Sequence, residues 1–311
     1  MLSLFCFSAG KCFSNIKELM PRCVILTSGT LSPFPSFQQE LKLEFPLTLE
    51  NPHVISNQQI KISVVKRGVN GNPFNFNFQN KNNMEMVDDL GATLAQVAKT
   101  VPDGVLVFFP SYRTMESARD QWLKTKTLDE IAKQKPVFME PKNSAEYQSI
   151  MNDYYKAIFE EKSKGAILMG VCRGRISEGL DFSDKAARCV IVVGIPYPQV
   201  TDPKIILKRD YLDNLKSLEK DSLESLSGSK WYNQQATRAV NQAIGRVIRH
   251  VQDYGSILLV DERYAYNSNK SQVSKWLRNR ITEHSNFAEL SVILTDFFAD
   301  MKARGFVAKV Q

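Results

Sequence analysis

Histidine and cysteine are too few and too scattered in this sequence to build a metal centre. The three histidines, His53, His250 and His284, share no ligand spacing with one another or with a cysteine. The five cysteines (Cys6, Cys12, Cys23, Cys172 and Cys189) contain no C-x-x-C pair. An odd count without paired spacing argues against a disulfide framework or zinc site and for a reducing compartment. Long apolar runs are missing too, since nothing approaches the ~18 residues a membrane-spanning helix needs. The opening MLSLFCFSAGK is weakly signal-like, but it lacks a basic n-region and its apolar run is short. There is no internal repeat, no low-complexity tract and no basic cluster of the nuclear-localisation kind. A phosphate-binding loop G-x-x-x-x-G-K-[ST] is also absent: SAGKCF at 8–13 lacks the leading glycine and the final hydroxyl residue.

What is present is an ordinary globular composition. The 311 residues are 43% apolar and 23% charged, enough for one large or two ordinary domains with proper cores. A net charge of +7 suits an acidic partner such as nucleic acid without requiring one. Short β-rich runs alternate with helical patterns and predict strands at 23–28, 60–66, 105–109, 166–172, 189–194 and 256–261. Between them, 84–99 reads as a helix with Val87, Leu90, Leu94 and Val97 on one face. Apolar strands separated by helices imply an α/β fold with a mostly parallel sheet. NPFNFNFQN at 72–80 is the most loop-like stretch, and its Phe74, Phe76 and Phe78 are read as pinning a loop to the core rather than as a base-stacking platform. The Ser-, Glu- and Lys-rich stretch 218–229 is the expected linker.

The most informative stretch is QAIGRVIRH, 242–250. Ala236, Ala239, Val240, Ala243, Ile244, Val247, Ile248 and Val251 recur at helical spacing, which predicts a helix over about 229–251. Gln242, Arg246 and Arg249 would then stack along one side, with Gly245 leaving that face open for close approach. A solvated basic face is the plain alternative. Arginine rather than lysine at both positions, beside a glycine that costs about 1 kcal/mol in a helix, favours planar recognition of phosphate. In VLVFFPSYR a buried strand runs into Ser111, placed to cap a helix whose free amides suit a backbone phosphate; capping alone would also explain the serine. VCRGRISEGLDF, 171–182, follows a strand with two glycines, two arginines and two carboxylates, where parallel α/β proteins put ligands. A salt-bridged turn accounts for those charges but not for the glycines. Trp231 and Tyr232 are read as packing rather than base-stacking residues.

In order and spacing, TSGTLSP (27–33), FFPSY (108–112), GRISEGLDF (174–182) and QAIGRVIRH (242–250) resemble motifs III, IV, V and VI of the XPD-type superfamily 2 DNA helicases, the iron–sulfur branch. The resemblance covers nearly the whole chain. It implies a RecA-like three-layer fold, with 1–32 as the end of a first RecA-like lobe and hinge, and 33–311 as the second lobe. It implies ATP and Mg²⁺ held mainly by a first lobe whose P-loop and DEAH box this sequence does not contain, and a family iron–sulfur cluster whose ligands are absent. By the same resemblance, Arg246 and Arg249 act as arginine fingers and Gln242 senses the same phosphate. Asp181, Glu178, Gly179 and Gly245 belong to the nucleotide side. Ser111, Tyr112, Arg173 and Gly174 grip single-stranded or branched DNA. Thr27, Ser28, Gly29 and Thr30 couple the two sites. The implied activity is a nuclear 5′–3′ DNA helicase of telomere maintenance, DNA repair and recombination control, with no membrane partner. A truncated, catalytically inactive single-strand-binding module and an RNA helicase lobe are the competing readings.

Overall fold

Seven short runs of β-branched, aromatic and other apolar residues pair into a single parallel sheet. The computed structural model describes residues 4–28, 31, 34–51, 55–80, 83–178, 181–218 and 226–306. Its strands are β1 Ile60–Val64, β2 Val105–Phe109, β3 Val137–Met139, β4 Ile167–Val171, β5 Cys189–Val193, β6 Gly255–Val260 and β7 Ile281–Glu283. They lie in the order β3-β4-β2-β5-β6-β1-β7, and every pairing is parallel. Parallel neighbours need crossovers, and helices supply them, so both faces of the sheet are covered. Alternation along β2 divides the core. Val105, Val107 and Phe109 pack with the helices Met84–Thr100, Tyr112–Lys124 and Phe287–Ala303. Leu106 and Phe108 pack on the other face with Ser144–Phe159 and the end of Gly228–Ile244. Phe109 pairs with Val171, so the loops leaving β2 and β4 emerge side by side.

The chain divides into two compact units. Residues 53–196 and 239–311 form the sheet unit, and residues 1–52 and 197–238 form the other. The second unit is helical among its described residues, with Ala9–Glu18, Phe34–Leu41, Pro203–Leu218 and the first part of Gly228–Ile244. Its buried apolar core is small, centred on Leu212, Leu226 and Trp231. Polar contacts supplement it: Gln234 Nε2 donates to Ser36 Oγ at 2.7 Å, and Arg238 pairs with Glu40 at 3.7 Å.

Five of the six expected strands are present within two residues of their predicted ends. The sixth, 23–28, has no regular structure, and Val24 and Ile25 are exposed. A strand needs a ladder partner, and among the described residues its unit contains no strand to provide one. The edge strands β3 and β7 went unpredicted because three residues carry no readable period. The 72–80 loop behaves as expected at Phe74, which is fully buried, and at Phe76, which packs on the core, while Phe78 is exposed. Trp231 is buried, and Tyr232 stacks on Tyr197 with ring centroids 5.4 Å apart. Of the expected linker, 219–225 lies outside the described residues; Leu226 packs in the helical unit's core.

Candidate nucleotide and nucleic-acid site

The predicted DNA-side residues converge at the carboxyl ends of β2 and β4. Ser111 is the N-cap of Tyr112–Lys124, and its Oγ accepts the Thr114 N–H at 3.2 Å. Tyr112 follows, half-buried. Across from it, the chain leaves β4 through Cys172 and Arg173, the latter in the left-handed region at φ 65°. This turn closes with the Gly174 N–H on Val171 O at 2.9 Å, and Arg173 Nη2 donates to Pro196 O at 2.7 Å. Gly174 is a glycine for a steric reason: a Cβ there would lie 2.6 Å from both carboxylate oxygens of Glu140.

From Gly174 the chain forms the short helix Arg175–Glu178 and then returns toward the start of β5. An aromatic group fixes this return. Phe182 is fully buried and stacks on Tyr155 at 6.2 Å, and Tyr155 Oη donates to Asp181 O at 3.0 Å. Tyr154 Oη donates to Ala186 O at 2.7 Å, and burial keeps that phenol far from ionisation. The carbonyl of Ser177 and the carboxylate of Asp181 are thereby held toward the end of the Gly228–Ile244 helix.

That helix is shorter than its apolar periodicity predicts. It ends at Ile244, and the next bonds tighten to three-residue spacing, Arg246 N–H to Ala243 O at 3.2 Å and Val247 N–H to Ile244 O at 3.3 Å. Asp253 then draws the chain round, its Oδ2 accepting the Arg249 N–H at 2.9 Å. Val247 and Ile248 remain buried while Val251 is exposed, so the apolar pattern reported burial up to Ile248 but not helix length. Gln242 is on the helix, whereas Arg246 and Arg249 occupy the turn beyond it. They nevertheless meet the same segment. Arg246 Nε and Nη2 donate to Ser177 O at 3.0 and 2.6 Å, and Arg249 Nε lies 2.9 Å from Asp181 Oδ1. Burial, followed by the neighbouring Arg249 charge, lowers the Arg246 pKa, while Asp181 and Glu178 oppose the shift. Gly245 is exposed, crowded only by its own helix. Two guanidinium groups backed by two carboxylates suit a polyphosphate, whose oxygens compete for the same planar donors.

Two residues central to this geometry carry no signal in the sequence. Glu140, directly after β3, is 3% exposed and accepts the Val171 and Arg175 N–H groups at 2.9 and 2.7 Å. Arg188, 1% exposed, pairs with Asp253 at 2.7 Å, lies 3.6 Å from Asp184 and 3.9 Å from Asp103, and stacks over Tyr254 at 3.9 Å. Only their burial distinguishes them, and burial of a lone charge leaves no mark on composition or period. Asp184, His250 and Asp253 place ligand atoms within 4.8 Å of one another. The Arg188 guanidinium already supplies the positive charge in that group.

Thr27 and Ser28 are exposed in the helical unit, while Gly29, Thr30 and Gly179 lie outside the described residues, as does His53. The cysteines do not fit an iron–sulfur cluster. Cys6, Cys12 and Cys23 belong to one unit and Cys172 and Cys189 to the other, and burial pushes the last two thiols up to about 12. Neither unit has four cysteines.

Comparison with known proteins decides the family. Residues 94–280 match the helicase C-terminal domain. The chain belongs to that family. It is 45% identical, over 96% of its length, to the rice protein "Regulator of telomere elongation helicase 1 homolog", and 42% identical, again over 96%, to the human "Regulator of telomere elongation helicase 1". These alignments cover 30% and 24% of the two relatives, so the chain spans under a third of their length. A solved structure titled "XPD_Helicase" superposes with a TM-score of 0.58 at 22% identity, covering 86% of this chain and 44% of that one. The chain is thus a helicase C-terminal domain on a RecA-like sheet.

Proposed function

We propose that this chain is the second motor lobe of an ATP-driven, 5′–3′ DNA helicase acting in telomere maintenance, DNA repair and recombination control in the nucleus. The observation that supports it is the pairing of Arg246 and Arg249 with Ser177 and Asp181 in one cluster. When bound, ATP with Mg²⁺ supplies the phosphoryl group whose transfer drives movement. Arg246 and Arg249 exchange their Ser177 and Asp181 contacts for the charge that spreads over the transferring phosphate, and Gln242 reads the same group. Such fingers contribute roughly 10³–10⁵ in rate. Glu178 and Asp181 keep the guanidinium groups oriented before the substrate arrives.

Ser111, Tyr112, Arg173 and Gly174 hold the single-strand backbone, which makes binding sequence-tolerant and sensitive to salt. Residues 1–32 complete the neighbouring lobe, with Thr27 to Thr30 as the coupling motif. The deciding experiment joins this chain to a first RecA-like lobe bearing a P-loop and measures DNA-stimulated ATP hydrolysis. Turnover abolished by Arg246→Ala, with single-stranded DNA still bound, is the expected result. DNA-stimulated turnover by this chain alone would overturn the division of labour between lobes.

A further inference from the structure

Glu140 lies outside all four helicase-like motifs, on the chain just past the edge strand β3. Its backbone is anchored there, the Glu140 N–H donating to Met169 O at 2.8 Å. Its side chain turns inward and is 3% exposed. One carboxylate oxygen accepts the Val171 N–H at 2.9 Å and the other accepts the Arg175 N–H at 2.7 Å, so the anion spans the loop from the last residue of β4 to the first residue of the next helix. Gly170 and Gly174 leave it room, since a Cβ on either would come within 3.0 or 2.6 Å of its oxygens. The Tyr112 phenol lies within the field of this carboxylate; burial first and the Glu140 charge next push that phenol up to about 12.

Neighbouring contacts extend the same tie. Arg175 Nη2 donates to Ser144 Oγ at 2.6 Å, and Lys142 pairs with Glu116 at 2.8 Å while lying 5.9 Å from the centroid of the Tyr112 ring. A buried carboxylate is retained only where donors compensate its lost hydration, and charge-assisted bonds to backbone N–H groups are among the strongest available. Leaving those donors without an acceptor would cost more than the bonds are worth in water.

We infer that Glu140 is a positioning residue for the nucleic-acid grip: it clamps the Val171–Arg175 turn of one loop beside the Tyr112 end of the other, so that both present their donors to successive phosphates of one strand. The inference rests on the proposed backbone-gripping role of those two loops. Glu140 itself touches no nucleic acid. It acts by holding Tyr112, Arg173 and Gly174 in register, and its replacement therefore weakens binding through a contact it does not make.

The test uses the intact chain and a fluorescein-labelled oligothymidylate of about 20 nucleotides, longer than a site of ~4–16 nucleotides. Anisotropy titrations at several salt concentrations give both Kd and the salt slope. In Glu140→Gln one backbone N–H faces an amide donor instead of an acceptor. Kd is expected to rise about tenfold, and the slope to fall by roughly 0.7, as one phosphate is no longer engaged. Combining Glu140→Gln with Gly174→Ala should add little to either single change, because both act on the same turn. A purely structural role would move the thermal midpoint while leaving the slope intact. Should Glu140→Gln fail to fold, Glu140→Asp keeps the buried charge but shortens its reach, and a threefold rise in Kd is expected. Wild-type Kd and slope in a folded variant would overturn the inference alone. Failure of the wild-type chain to bind the oligonucleotide would instead overturn the gripping role on which it rests.

Discussion

Arg249 and Asp181 meet at 2.9 Å, with the Asp181 side chain 73% exposed. So open a pair is worth at most about 1 kcal/mol to stability. Asp181→Asn should therefore leave the unfolding free energy almost unchanged, as urea denaturation will show. In the proposed function the pair orients the guanidinium, and its weakness would let a phosphate displace the carboxylate. In a two-lobe helicase containing this chain, Arg249→Lys should lower ATP turnover by about 10²–10³ with DNA affinity within about twofold, because a point charge cannot replace a planar fork. Steady-state hydrolysis and anisotropy measured on one preparation check this. Equal loss of both would mean the arginine supports folding instead.

Arg188 gives the opposite case, a charge that can hardly be left alone. Removing its 2.7 Å partner by Asp253→Ala also strips an acceptor from the Arg249 and Tyr254 N–H groups. A loss of about 3–5 kcal/mol is expected. Replacing Arg188 and Asp253 together with apolar residues of similar volume should cost less than the single change. Chemical denaturation of the three proteins decides, and an additive result would rule out an uncompensated charge as the cause.

Lys135 makes stability depend on pH. Its ammonium is buried, donating to Asp103 O at 2.6 Å and to Lys164 O, and burial lowers its pKa from 10.5 to about 8. Between those values the unfolded chain still holds the proton that the folded chain has released, so stability rises with pH across this window. Compared with Lys135→Met, the wild type should gain on the order of 3 kcal/mol between pH 8 and 10.5, the gain being absent below it. Unfolding curves of both proteins at the two ends of the range provide the measurement. A constant difference would show that the amine is hydrated in the folded state.

Two glycines separate backbone strain from steric clash. Gly165 has φ +95°, and a Cβ would lie 1.9 Å from Asp103 O; Gly71 has φ +86° with nothing within 4 Å. Gly71→Ala should cost roughly 1–2 kcal/mol from the left-handed conformation alone. Gly165→Ala should exceed that by at least a further ~1 kcal/mol, because backbone must move. Equal midpoints in thermal unfolding would contradict this difference.

The legible parts of this protein are those where one residue's chemistry is repeated by its neighbours. Runs such as Val105–Phe109 and Cys189–Val193 announce buried parallel strands, and the sequence singled out the two stretches, 174–182 and 242–250, that the structure brings together through Arg246 and Arg249. The end of the arginine helix was not legible, because Val247 and Ile248 keep the helical period while the Asp253 carboxylate, four residues past Arg249, bends the chain. Glu140 and Arg188 were equally hidden. Each is an ordinary charged residue in sequence, and its role comes from partners tens of residues away. Cys23–Ser28 shows the converse: strand-like composition does not make a strand without a neighbour to pair with.

The order of the sheet has a consequence for how the molecule behaves in a crowded solution. Its most apolar strands, β2, β4 and β5, are interior and paired on both sides, whereas both margins are only three residues long. One margin leads directly into the inward-turned Glu140, and the other ends at Glu283, flanked by Lys66 and Lys270. Short margins bordered by charge give a second molecule almost no template to extend by edge pairing. The segments most prone to form fibrils are thus hidden in the middle of the sheet, and aggregation of this unit requires global unfolding rather than fraying at a border.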